Sequence, residues 1–250
     1  MLTADDNYRL LVFSIPNKMK LKILFLSALT ILIATTSMAQ DLADEVDLFM
    51  GVHGNSNCVI GPQLPHGSVN PSPDTPKGGQ NGYDENDKIR GFSQLHVSGI
   101  GWSRYGQILL SPQNGFSAKE TGHDSPKANE IAKPYCYAAT LTRYGIRTEL
   151  SPTHHGVFYR FTFNKPNNNN ILLDLRHNIP QDIVPIVKGT FNGGEINYNE
   201  KQKLISGYGI YAGGFGMLKQ LPQATFPVLR EEAVPARAAS DIAFMRKFCE

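Results

Sequence analysis

The run from Gly91 to Pro112 constrains this chain more than any other part of it. Phe92, Leu95 and Val97 lead into a centre punctuated by Gly99, Gly101 and Gly106, and Tyr105, Ile108, Leu109 and Leu110 lead out. Aromatic and β-branched residues on both sides favour strands. Glycines so close together mark backbone that turns sharply or approaches something closely. The expected unit is strand, glycine-rich turn, strand. Trp102, the only tryptophan, sits in that turn. His96 and Ser98 are two apart, so on a strand they share one side. An aromatic plate beside small polar groups suits a sugar, which offers an apolar C–H face and a rim of hydroxyls. The plainer alternative is a hairpin whose Trp102 plugs the core and whose His96 is hydrogen-bonded inside.

The rest of the chain repeats this pattern of short strands between turn signals. Tyr135 to Arg143 alternates and is turned by Tyr144-Gly145 into Ile146 to Leu150. Val157 to Phe163 and Ile171 to Leu175 follow, separated by an asparagine-rich tip. Ile183 to Phe191 and Glu195 to Tyr198 read as a pair around Asn192-Gly193-Gly194, with a last strand from Lys203 to Tyr211. No stretch of ordinary length carries helical periodicity. With 23 glycines, 16 prolines and 41% apolar residues, the expectation is an all-β antiparallel β-sandwich that buries a core.

The N-terminus reads as a targeting segment. Lys18, Lys20 and Lys22 give a basic region, Leu21 to Ala34 an apolar one, and Ser37-Met38-Ala39 a small-residue cleavage signal. Residues 1–39 are thus expected to be a signal peptide, helical in its apolar part. Met19 is a natural start, which makes 1–18 an over-extended beginning. The apolar run is short of the ~20 residues of a transmembrane helix, so export to the periplasm or beyond is expected, with no membrane attachment after cleavage. Residues 40–250 then hold equal numbers of basic and acidic residues, which implies no nucleic-acid partner. Cys58, Cys136 and Cys249 are odd in number and show no repeated spacing, so Cys58 and Cys136 are expected to be buried thiols. Asp74, after Pro73, reads as a turn residue capping nearby amides. Asp84, Glu85 and Asp87 read as a solvated acidic turn, since an EF-hand's glycine and terminal glutamate are missing. No zinc, phosphate-loop or nucleophile-elbow motif is present.

Several motifs, in order, resemble glycoside hydrolase family 92, the calcium-dependent exo-α-mannosidases. Val46-Asp47-Leu48-Phe49-Met50-Gly51 is similar to the family's opening, with Leu48 in place of Pro. Ser72-Pro73-Asp74-Thr75 matches fully, and Gly82-Tyr83-Asp84 and Glu130-Ile131-Ala132-Lys133-Pro134-Tyr135 follow family segments. Gly91 to Gly101 resembles the hallmark segment, with Gln94 at its first His position and Ile100 at the Thr between glycines. Beyond Gly216 the motif resemblance fades.

The resemblance implies a β-sandwich N-terminal domain over residues 40–216, incomplete in its last strands. Residues 217–250 read as a divergent, irregular or partly helical tail of the kind a frameshift produces, with a helix from Ser240 to Phe248. In the family, the catalytic acid and base and the calcium ion belong to a following (α/α)6-barrel domain. This chain is therefore expected to carry no catalytic residue, to bind no metal, and to be inactive alone. The implied partners are a mannose-containing glycan and the barrel domain. Trp102, His96 and Ser98 are the candidate substrate-binding residues, Trp102 as stacking surface and the other two as polar supports. The alternative, that His96 and Ser98 only hold the turn in shape, stays open. So do a stand-alone sugar-binding module and a non-functional gene fragment.

Overall fold

The computed structural model describes residues 43–53, 57–97, 105–179, 190–212, 224–225 and 229–230. The elements, in chain order, are β1 (Ser72–Asp74), β2 (Gly91–Ser93), β3 (Leu109–Asn114), α1 (Glu120–His123), β4 (Lys127–Lys133), β5 (Cys136–Leu141), β6 (Ile146–Pro152), β7 (Val157–Phe163), β8 (Asn169–Asp174), β9 (Thr190–Asn199), β10 (Leu204–Ala212), β11 (Ala224–Thr225) and β12 (Leu229–Arg230). All described strand pairs are antiparallel. One sheet runs β1-β2-β3-β8 and a second β4-β5-β6-β7. A third is built on β10, which pairs with β9, β11 and β12. The chain is an all-β antiparallel β-sandwich.

The core lies where the first two sheets meet. Phe92 from β2 sits 6.3 Å from the ring of Tyr137 in β5 and 6.5 Å from that of Phe161 in β7. Ile60, Ile89, Ala139, Leu141, Ile146 and Leu150 complete the cluster. Alternation explains the β6 contribution: Ile146, Thr148 and Leu150 share one face, and the two hydrophobes, Ile146 and Leu150, are nearly fully enclosed. Burying one such side chain is worth about 1.5–3 kcal/mol. Two phenols that enter the core share one carboxylate. Glu130 accepts hydrogen bonds from both Tyr83 and Tyr137. Arg90, at the start of β2, is held by Asp124 and Glu120, fastening α1 to the sheet.

Three local expectations are corrected. Asn192-Gly193-Gly194 is not a turn: β9 runs straight through it, and a bulge opposite Ile210 and Tyr211 absorbs the extra residue. Gly193, at φ +123, supplies the backbone freedom that the bulge requires. The reversal falls at Asn199–Lys203, where the Asn199 side chain caps the Gln202 amide and Lys203 takes φ +50. Tyr105 and Ile108 are not strand residues, for both sit in the left-handed region. Cys58 is exposed; Cys136 is buried in β5, and the two form no disulfide with each other. The leader at 1–39, the stretch 183–189 and the helix at 240–248 lie outside the described residues. Within 217–250, β11 and β12 add to the edge of β10. No described helix is long and apolar enough to cross a membrane.

Candidate functional site

The first sheet positions the site. Ser72 pairs with Ser93, and Asp74 with Gly91, so these residues occupy one face while Pro73 and Phe92 take the other. Asp74 is wholly buried. Its Oδ1 lies 2.7 Å from Nε2 of His96, and its Oδ2 lies 3.1 Å from Nε2 of His177. Both imidazoles are buried as well. The Nδ1 of His96 faces the Asn70 carbonyl oxygen at 2.9 Å, and the Asn70 amide returns a bond to the His96 carbonyl. A carbonyl oxygen only accepts, so Nδ1 of His96 donates to Asn70, while Nε2 meets the Asp74 carboxylate. The Ser93 hydroxyl stands 3.4 Å from the same Nε2.

Burial alone would raise the Asp74 carboxyl. The charge of His96 and the hydrogen bonds from both histidines overcome it and hold the group at about 2. The cluster is closed by Gly82, which at φ +90 lies against it. A Cβ there would come within 2.5 Å of Asp74 Oδ1 and 3.1 Å of His96 Nε2. Burial, with the charge of Asp74 adding, also pushes the Tyr159 hydroxyl far above an ordinary phenol. That hydroxyl is buried and finds no hydrogen-bond partner among the described residues.

Asp74 does not cap a turn, as its sequence context suggested. It is the centre of a buried ionic cluster. His177 had no signal at all in the sequence: it follows β8 and meets Asp74 across 103 positions of chain. Of the candidate residues, His96 is described: buried, with both ring nitrogens engaged by protein groups. Trp102 and Ser98 fall in 98–104, outside the described residues. The two ends of that segment are tied together. His96 bridges Tyr105, and the Gly106 amide donates to the Leu95 carbonyl at 2.9 Å.

Calcium takes oxygen ligands. Both oxygens of Asp74 are occupied by histidines, and among the described residues no group of side chains is placed to hold a metal ion. The described residues do not fit that ion. In the acidic turn, Asp84 and Asp87 accept from nearby backbone amides, and their carbonyls receive the Lys127 ammonium. That is a self-contained loop.

The profile of the Glycosyl hydrolase family 92 N-terminal domain matches residues 45–236. It therefore takes in the stretch 217–236, where motifs alone had suggested divergence. Among solved structures, the chain is similar to the family GH92 α-mannosidase from Bacteroides thetaiotaomicron in complex with mannoimidazole. Identity is 27% and the TM-score 0.60, over 69% of this chain and 23% of that one. A second structure of that enzyme gives the same identity and TM-score, over 24% of its length. The chain thus spans about a quarter of this relative. No curated protein matches it.

Proposed function

The chain belongs to the glycosyl hydrolase family 92 N-terminal domain family, and on that premise we propose that it is the glycan-facing N-terminal part of an exported exo-α-mannosidase. The family match over residues 45–236 carries this reading. In it, the segment at 98–104 supplies one wall of a mannose site, with Trp102 as stacking surface and Ser98 as polar contact. His96 acts as a support rather than a contact, because its nitrogens are committed to Asn70 and Asp74.

Inverting hydrolysis needs two carboxyls about 6.5–9.5 Å apart with room for a water between. Asp74 serves neither role, being sealed between two histidines. We assign the acid, the base and the calcium to the barrel domain of the longer family protein. The purified chain is then expected to release no mannose from α-mannobiose; measurable release would overturn that assignment. One wall alone gives millimolar affinity, about −4 kcal/mol. Titration of tryptophan emission with methyl α-mannoside should show this, and methyl α-glucoside should not. No response, or an equal one to both sugars, would overturn the wall. Micromolar binding would instead favour a stand-alone sugar module. Export is tested by mass spectrometry of secreted material, which should begin at Gln40 or Asp41 rather than Met1 or Met19.

A further inference from the structure

The backbone leaving the 98–104 segment is strained. Tyr105 has φ +73 and Ile108 has φ +66. In that region a β-branched residue is a genuine outlier. Such conformations cost about 1–3 kcal/mol each and persist only where the surroundings over-determine them. Gly106, between them at φ +75, carries no such penalty.

The over-determining element is the strap at 176–179, which follows β8. Its Ile179 amide donates to the Tyr105 carbonyl at 3.1 Å. The Ile179 side chain packs against Gly106, where a Cβ would meet it at 2.5 Å. Asn178 Oδ1 accepts from Gln107 at 3.0 Å. His177, next in line, reaches Asp74. β1 and β8 are opposite edges of the four-stranded sheet, three strand spacings or about 14 Å apart. The strap therefore reaches across the sheet, and through His177 it is anchored on the carboxylate that also holds His96. His96 in turn bridges Tyr105.

We infer that Asp74, His96 and His177 form a buried ionic clamp whose role is to position the stem of the 98–104 segment, not merely to stabilise the sheet. One carboxylate ties the incoming strand, through His96, to the strap that pins the outgoing one. His177 is a positioning residue acting through Asp74 and the strap. This stands on the geometry of the stem and holds whether or not the segment contacts a sugar.

The chain's single tryptophan lies between the two stem ends in sequence and reports on this without interference. The test is acrylamide quenching of Trp102 in the folded 250-residue chain, with far-UV circular dichroism confirming the fold. His177→Leu removes the donor to Asp74 and should change the quenching constant by about twofold, since releasing strain of this size suffices to change the dominant conformer. His177→Gln keeps an N–H for Asp74 and should restore the native value. Leu150→Ala, in the other sheet, should lower the unfolding midpoint while leaving the native quenching constant unchanged. Should His177→Leu fail to fold, Gln107→Ala cuts only the bond from stem to strap and should still shift the constant. The inference falls if whichever of His177→Leu and Gln107→Ala folds quenches like the native chain. It also falls if His177→Gln shifts as far as His177→Leu, or if Leu150→Ala shifts equally.

Discussion

The interface between the first two sheets and the clamp at the loop stem are both buried, yet they are held in different ways. At the interface, Phe92, Tyr137, Phe161, Ile146 and Leu150 gain from area removed from water, which is non-directional and spread over many contacts. At the clamp, Asp74, His96 and His177 gain from three or four directed bonds in a site without water contact. Directed bonds fix a conformation but leave costly unpaired groups when one partner goes. The interface makes the sandwich stable. The clamp gives one part of it a definite backbone, including two residues that would otherwise avoid their observed φ.

The largest expected effect breaks the interface alone. Leu150→Ala should cost about 2–5 kcal/mol, the range for a truncated core leucine. Urea unfolding monitored by circular dichroism measures it. A loss under about 1 kcal/mol would mean that the two sheets are not packed as described.

The second breaks the clamp and separates it from the interface by pH. The Asp74 carboxyl lies at about 2 against an ordinary 3.8, a difference worth on the order of 2 kcal/mol at neutral pH. The folded value is depressed, so the contribution is fully present above the ordinary carboxylate range. It fades as the pH falls from about 4 toward 2. Asp74→Asn should therefore lower stability at pH 7 and converge with the native chain over that acid range. Leu150→Ala should keep its deficit throughout. A deficit for Asp74→Asn that is independent of pH would show that the carboxylate's charge contributes nothing.

A third test probes the lid of the cluster. Gly82→Ala puts a Cβ in the left-handed region, worth about 1–2 kcal/mol, and within 2.5 Å of Asp74 Oδ1. The measured cost should be at least that large at pH 7. If it is nil, Gly82 does not lie against the clamp.

This contrast also accounts for what the sequence made legible. The strands of the interface announced themselves through alternation, as in Ile146, Thr148 and Leu150, and through the Tyr144-Gly145 turn. Turn chemistry misled at Asn192-Gly193-Gly194 because a bulge uses the same residues as a hairpin turn. The real reversal at Glu200–Lys203 contains neither glycine nor proline. His96 stood out because a histidine beside clustered glycines is conspicuous. Asp74 did not, since Pro-Asp-Thr reads as a surface turn until β1 is seen pairing with β2. His177 was invisible: its meaning depends on the strap reaching across the sheet, a relation between distant segments that no local pattern encodes.

The smallest effect sharpens the contrast most. Removing the Ile108 side chain would, at an interface position, cost several kcal/mol, as for Leu150. At the stem two terms oppose that loss. Ile108 is only partly buried, so less apolar area returns to water. Its φ of +66 is strained for a β-branched residue and costless for glycine, which returns about 1–2 kcal/mol. Glycine's greater freedom in the unfolded chain takes back roughly 0.5–1 kcal/mol. These terms nearly cancel, so Ile108→Gly should change stability by less than about 1 kcal/mol while loosening the stem that the strap holds. Urea unfolding gives the first quantity, and amide hydrogen exchange at residues 105–108 gives the second. A cost as large as that of Leu150→Ala would mean that Ile108 behaves as a core residue and that its backbone carries no strain.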